Sequence, residues 1–464
     1  MPHCPGRRGC PERPARPSPS RPHPERSGGS VQADSTVLLV GATDRTVTKA
    51  KDLGLHVIVL QHPHKLAEAP CEKADVVLAV DYTDVTALET AARDVWDTTG
   101  FTAVVSLTEP GLEGAGLLND LFSLGGTGLE AARRFRDKLA MRRRLATAGN
   151  KAATAAAAPL AKRHDIDEFA EQYGYRFVVK PRNGTGSYGV FQVTGPETAE
   201  AAWDMVSALN GHPMARTTMP FSVDGFMMEE YVDGPQFSAE SFSFHGRHVL
   251  IGITETHLAA DSFAAFSHVM PARLDNAAQA GVRDAMSGFL DAMGLRDGPA
   301  HTEFRLSERG PVVIESHNRY GGGAINQLVQ GAYGIDLETY ALGWPFGLVP
   351  EISLPPQAQG AAAVRFLVSG PGQVESITGV QEARSEPGVL TAQMWVKPGD
   401  TVRSVENSWD RLGLVATAAA TGDMALRRAE EVLQDTIRIQ VRGEDGVSRP
   451  ARIALPGPRV TAAS

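Results

Sequence analysis

Two glutamates, Glu303 and Glu315, flank the tetrapeptide SERG (Ser307–Gly310) in the stretch HTEFRLSERGPVVIESH. β-Prone runs on both sides of a turn-forming tetrapeptide predict a hairpin. With the turn centred near Glu308 and Arg309, the two acids fall almost opposite each other, to within one residue of register. Carboxylates on the same face of neighbouring strands repel unless a cation lies between them. Such oxygen donors suit magnesium bridging substrate phosphates, which takes only one or two protein carboxylates. The alternative is a solvated pair on an exposed sheet face. The metal reading is preferred because the second strand runs on through VIESHNRYGGG (Val313–Gly323). There, alternation puts Glu315, His317 and Arg319 on one side, and Gly321–Gly323 offer an anion-facing turn.

VVKPRNGTGSYGV (Val178–Val190) sets Lys180 at the end of a buried strand, directly before Gly184, Gly186 and Gly189. Glycines without a Cβ let backbone N–H groups approach phosphate oxygens. The segment is not a P-loop, because its lysine precedes the glycines and GxxxxGK[ST] is absent. A hairpin turn with a solvated lysine is the competing reading. In FMMEEYVDGPQFSAESF, Glu229, Glu230, Tyr231 and Val232 end one strand before a Gly-Pro turn. A strand edge with apolar side chains suits an adenine ring, although such a segment taken alone is more often a plain hairpin.

These groups need a scaffold that brings distant strands together. STVLLVGA, TVTKAKDLG and HVIVL read as a βαβ unit whose helix closes at Gly54, and DVVLAV and AVVSL continue the pattern. Its lone Gly41 lacks the spacing of a dinucleotide fingerprint. One basic helix, EAARRFRDKLAMRRRLATAG, is expected next, then two mostly β segments (Phe177–Val193 and Phe226–Ile253) and a long helix over Asn276–Met293. The last unit mixes strands (AAAVRFLVSG, QMWVKPGD) with the helix DMALRRAEEVLQDTI. The expected layout is a disordered Arg/Pro-rich tail over 1–34, a Rossmann-like domain over 35–125, nucleotide-binding subdomains over 126–355, an α+β lobe over 356–445 and a flexible tail over 446–464.

Composition narrows the function classes. A net charge of -9 argues against nucleic acid as the main partner. Three cysteines, two of them in the tail, make neither a disulfide framework nor a metal knuckle. No apolar run spans a bilayer and no secretory leader follows the N-terminal arginines, so a cytoplasmic protein without a membrane partner is expected.

In order, RDKLAM, VVKPRNGTGSYGV, MEEYVDG, HTEFRL and IESHNRYGGG resemble the motifs of the ATP-grasp superfamily, over nearly everything from Val37 to Ile439. SLTEPG, FAAFSHVMPA and GVLTAQMWVKPGD with ENSWDRLGLVATAAATGD are similar to its carboxylate-amine ligase branch, which includes L-amino acid ligases. The resemblance implies an α/β (α+β) ATP-grasp fold with a Rossmann-like domain in front and a C-terminal α+β lobe.

It implies ATP as cofactor with Mg2+, Mn2+ remaining open. Lys138 and Lys180 would hold phosphates under a lid of Gly184, Gly186, Ser187 and Gly189. Glu229, Glu230, Tyr231 and Val232 would read adenine, with Gln236 at the ribose, where the family often has an acid. Glu303 and Glu315 would bind metal. Arg319, with Lys180, would be catalytic, and Glu109, His268, Arg319 and Gly322 would line an amino-acid pocket. His317 stands where the family pattern E-x-N-P-R supplies Asn as third ligand, so metal ligand and substrate contact both stay open for it. The implied partners are ATP and small carboxylate and amine substrates, and a homodimer is left open. The implied activity joins acid to amine through an acyl phosphate. A biotin carboxylase-like enzyme and an inactive nucleotide-binding protein are the alternatives.

Overall fold

Short apolar runs alternating with amphipathic segments build the N-terminal layer. β1 (Thr36–Val40) is buried along its whole length, α1 (Asp44–Asp52) starts where the Thr43 hydroxyl accepts the Thr46 N–H, and β2 (His56–Gln61) and β3 (Val76–Ala79) follow. The left-handed Gly54 (φ 78°) ends α1 as expected. α2 (Val85–Thr98), β4 (Ala103–Val105) and α3 (Leu112–Leu121) complete a parallel sheet of order β3-β2-β1-β4. The computed structural model describes residues 35–149, 154–213, 222–259 and 262–453. The expected tail over Met1–Asp34 and the chain beyond Ile453 lie outside them.

The single basic helix is two, α4 (Leu129–Arg136) and α5 (Lys138–Thr147). Asp137 leaves helical geometry at φ -101° and ψ 105° and caps α5, accepting the Leu139 and Ala140 N–H groups. The break turns the Lys138 N–H onto the Arg182 carbonyl at 3.0 Å. Capping by a short acidic side chain outweighs helix continuity here. β5 (Ala157–Leu160), α6 (Arg163–Tyr173), β6 (Phe177–Pro181), β7 (Phe191–Val193), α7 (Pro196–Leu209) and β8 (Phe226–Glu230) form a small antiparallel sheet, β5-β8-β6-β7.

A nine-stranded sheet is the floor of the molecule. It takes in β9 (Gln236–Phe244), β10 (Arg247–Leu258) and β11 (Ala265–Met270), then β12 (Gly298–Ser307) and β13 (Gly310–His317) after α8 (Asn276–Met293). α9 (Ile325–Tyr333) and α10 (Leu337–Gly343) precede β14 (Ala361–Val368). β15 (Gly372–Thr378), α11 (Val380–Arg384), β16 (Val389–Met394), β17 (Thr401–Val402), β18 (Gly413–Ala419), α12 (Gly422–Glu431), β19 (Arg438–Arg442), β20 (Ser448–Pro450) and β21 (Arg452–Ile453) end the described chain. The large sheet runs β13-β12-β9-β10-β11-β14-β18-β16, with β21 on β14, and a second small sheet runs β17-β15-β19-β20. α8 packs Val282, Met286, Phe289 and Met293 on one face of the large sheet, against Phe237, Ala300 and Phe304. α9 packs Ile325, Leu328 and Val329 on the other, against Phe242, Val364 and Phe366.

Three expectations need correction. The strand expected at QMWVKPGD lies earlier, at β16, because Pro398 and Gly399 end the pairing. The sheet crosses residue 355 without an edge, since β14 pairs with β11. The tail expected from residue 446 is partly strand, β20 pairing with β19 and β21 with β14.

Candidate active site

The hairpin β12–β13 pairs Glu303 directly with Glu315 and His301 with His317. Opposite residues of an antiparallel pair share a face, and the β9 register places Gln236, Ser238 and Glu240 there too, against Arg305, Glu303 and His301. Between Glu303 and Phe304 the register slips, leaving Ile314 as an extra residue. This bulge turns the Ile314 carbonyl out to accept the Lys180 ammonium at 3.3 Å.

Across the cleft, β6 and β8 carry Lys180 and Glu229. The Lys180 Nζ lies 2.7 Å from Glu229 Oε2, and Arg142 Nε lies 2.6 Å from Oε1. Burial raises the Glu229 carboxyl, but the two cations outweigh it and the pKa falls below the ordinary range. Burial first, with Arg142 and Lys138 adding to it against Glu229, draws Lys180 down. Lys138 donates to the Gly184 carbonyl at 2.7 Å and pairs with Glu315 at 2.8 Å. Glu315 is likewise held well below the carboxylate range, Lys138 and His317 overcoming its burial. Both lysines are thus neutralised by acids from two sheets at one point in the cleft.

A second cluster gathers around Glu109, which begins a short helical turn after β4. Arg319 Nε reaches its Oε2 at 2.7 Å, His317 Nδ1 lies 3.0 Å from Oε2 and 3.1 Å from Oε1, and Arg136 Nη1 lies 3.3 Å from Oε1. Burial pushes this carboxyl up, and His317, Arg319 and Arg136 reverse it, leaving it well below normal. Glu109 is expected to line an amino-acid pocket; both its oxygens are occupied by the protein's own guanidiniums.

The glycine loop lies closed against the C-terminal part of the chain. Gly186 and Gly189 have φ 63° and 67°. A Cβ on Gly186 would stand 2.7 Å from Trp409 Nε1, so the indole requires glycine there. Trp409 donates to the Thr185 carbonyl at 3.2 Å, the Ser408 N–H to the Gly186 carbonyl at 2.9 Å, and the Ser187 hydroxyl to the Phe263 carbonyl at 3.0 Å.

Of the residues expected at adenine, Glu230 accepts from the Ala156 N–H and Arg309, and the Arg176 and Arg305 guanidiniums lie 4.4 and 4.9 Å from the centre of the Tyr231 ring. Arg305 also donates to the Val232 carbonyl at 3.1 Å. Gln236, expected at the ribose, gives its amide to Glu303 Oε2 at 2.9 Å. Lys138, Lys180, Gly184, Ser187, Glu229–Val232, Gln236, Glu303 and Glu315 line one cavity, which shares Ser187, Tyr231 and Gln236 with a larger one of about 1440 Å³. His268 stands apart from Glu109, its Nδ1 3.0 Å from the Thr256 hydroxyl, and the position of Gly322 is open, with nothing within 4 Å of an added Cβ.

Glu303 and Glu315 fit a divalent ion: they face each other, remain partly exposed, and Lys138 already supplies a cation to one of them. The three-residue set with His317 is not assembled, since among the described residues no cluster of three such side chains is placed to hold an ion. His317 turns Nδ1 to Glu109 instead, with Nε2 3.5 Å from Glu315.

Sequence analysis gave no role to Arg136, Arg142, Glu240 or Arg411. Glu240 is wholly buried and bonds His301 Nδ1 at 2.9 Å and the Ser238 hydroxyl at 2.7 Å. Burial lowers His301, but Glu240 and Glu303 push it up to about 10. The alternation of Gln236, Ser238 and Glu240 with Phe237 and Ala239 was the available signal. For Arg142, in the run RRR, there was none.

Residues 173–327 match the model of the ATP-grasp domain, and residues 365–442 match L-amino acid ligase C-terminal domain 2. An uncharacterized protein, y4rH, of Sinorhizobium fredii is 28% identical over 429 residues, 89% of this chain and 86% of its own length. An L-arginine-specific L-amino acid ligase of Bacillus subtilis is 22% identical over 335 residues, 72% of this chain and 79% of its own. The crystal structure of an L-amino acid ligase from Bacillus licheniformis has the same fold, with a TM-score of 0.72 at 21% identity, over 88% of this chain and 99% of that one.

Proposed function

We propose, for a chain that is an ATP-grasp protein carrying the C-terminal domain of the L-amino acid ligases, an ATP-dependent carboxylate–amine ligase that joins two small molecules, at least one an amino acid. The observation that carries this reading is the convergence of Lys138, Lys180, Glu303 and Glu315 beneath the glycine loop. A carboxylate oxygen is too poor a leaving group to be displaced by an amine at neutral pH. Transfer of the γ-phosphoryl group to it, with loss of ADP, creates a C–O–P linkage; the amine nitrogen then attacks the carbonyl carbon, phosphate leaves and the nitrogen loses a proton.

Lys138 and Lys180 exchange their carboxylate partners for phosphate oxygens, so the charges are positioned before the nucleotide arrives. A divalent ion on Glu303 and Glu315 would supply further neutralisation of those oxygens, and two carboxylates suit magnesium. Arg319, oriented by Glu109, faces the acyl group, while His317 ties Glu109 to Glu315 rather than serving as a third ligand. The loop held by Ser408 and Trp409 keeps water from the acyl phosphate.

The test is a pairwise screen of amino acids with ATP and magnesium, reading phosphate release and product mass together. The reading expects ADP, phosphate and an amide-linked product in equal amounts. ATP turnover that depends on bicarbonate and needs no amine would favour a carboxylase.

A further inference from the structure

Arg411 follows the turn Ser408–Asp410 and brings its guanidinium to the cleft face of the large sheet. Its Cζ lies 3.9 Å from the centre of the Phe366 ring and 5.5 Å from that of Trp395. Nε donates to the Ser408 carbonyl at 2.8 Å and Nη1 to the Ala265 carbonyl at 3.2 Å. These bonds fix the plane of the group and leave Nη2 without a hydrogen bond among the described residues. A Cβ on Gly323 would stand 3.2 Å from the edge of Phe366 and 3.7 Å from His268 Nε2. Arg411, Phe366, His268 and Gly323 are therefore close neighbours on this face.

The charge of Arg411 has no acidic partner there. Lys138 has Glu315, Lys180 and Arg142 share Glu229, and Arg136 and Arg319 share Glu109. Among the described residues no carboxylate forms an ion pair with Arg411. Burial pulls its pKa down to about 9, and Glu303, acting at a distance, is the one acid that opposes the fall. An ion held by Glu303 would remove even that compensation. A partly buried guanidinium without a counter-ion favours a ligand that supplies one.

We infer that Arg411 receives the carboxylate of the amine substrate, so that this substrate is an amino acid and not a simple amine. The inference rests on the ligase reading. Of the two carboxylates brought by a pair of amino acids, the activated one becomes an acyl phosphate at the Lys138 and Lys180 end. The other stays charged through the reaction, and a guanidinium held in plane can meet both its oxygens. Its neighbour His268, lowered well below the ordinary range first by burial and then by Arg411, is neutral and adds no competing charge.

The test compares L-amino acids with their own carboxamides as acceptors, in the full-length protein with ATP and magnesium, for the parent, Arg411→Met and Arg411→Lys. The parent is expected to prefer the amino acid over its carboxamide by at least about tenfold in kcat/KM. In Arg411→Met that preference collapses toward one, through KM for the acceptor, and Arg411→Lys restores part of it. Trapping with hydroxylamine, which reports acid activation without any amino-acid acceptor, separates the two levels. Hydroxamate from the parent together with an unchanged preference in Arg411→Met would overturn the role of Arg411 alone. A parent that prefers carboxamides or simple amines would overturn it as well. No hydroxamate, and no ADP with any acid, would sink the ligase reading itself. If Arg411→Met does not fold, the ratio in Arg411→Lys decides, since a less planar, single-point cation must still lower it.

Discussion

The two ends of the cleft handle charge in opposite ways. At the end proposed for phosphate each lysine is neutralised by a protein carboxylate, Lys138 by Glu315 and Lys180 by Glu229. At the end proposed for the amine substrate Arg411 has, among the described residues, carbonyl and aromatic partners only. A self-neutralised end is folded and ready before ligand arrives and can exchange its partners for phosphate and metal. The other end holds back a charge for a ligand to complete. Glu109 is the junction of a third cluster, tying the guanidiniums of Arg319 and Arg136 to the imidazole of His317.

If that contrast is right, the phosphate end is the most sensitive to loss of charge. Lys180→Ala is expected to lower ATP-dependent phosphate release by about 10³-fold, with a circular dichroism spectrum like the parent's. Parent-like turnover would remove Lys180 from the phosphate site. Glu315→Gln should cost about 10²-fold and raise the magnesium concentration needed for half-activity; an unchanged magnesium titration would leave the ion elsewhere.

Glu109→Gln attacks the junction. Truncating the charge leaves two guanidiniums and an imidazole around a neutral amide, and thermal or urea unfolding should show a loss of about 3 kcal/mol at neutral pH. The sign with pH follows from its depressed pKa. The contribution is complete above the ordinary value of 4.5 and is lost as pH falls toward the lower folded value. The gap between parent and variant should therefore narrow below about pH 4.5; a gap that widens on acidification would refute the assignment. Trp409→Ala, which frees the glycine loop, should release a few-fold more phosphate per amide bond formed. As a control far from the cleft, Arg163→Ala breaks a surface contact with Glu200 and should change stability by less than about 1 kcal/mol.

Legibility in the sequence followed how local each determinant is. The helix Asn276–Met293 was readable to its ends because Asp275 caps it and Gly294 stops it in left-handed geometry. The Glu303–Glu315 pairing followed from one tight turn. The break at Asp137 was hidden because Arg182, from another element, also holds it, pairing with the Asp137 carboxylate and taking the Lys138 N–H on its carbonyl. Arg411 and Trp409 were quoted as part of a motif, yet their place at the cleft comes from β14 and β18 continuing the large sheet. No residue near them in sequence reveals that.

The acyl-phosphate route is tested most directly by the fate of one oxygen atom. Amino acids labelled with 18O in both carboxylate oxygens, incubated with ATP, magnesium and an unlabelled amine partner, should yield ADP and phosphate carrying one 18O for each amide bond made. That atom can reach phosphorus only if the carboxylate itself took the γ-phosphoryl group. Unlabelled phosphate released with ADP, or AMP and pyrophosphate in place of ADP, would contradict the acyl-phosphate route.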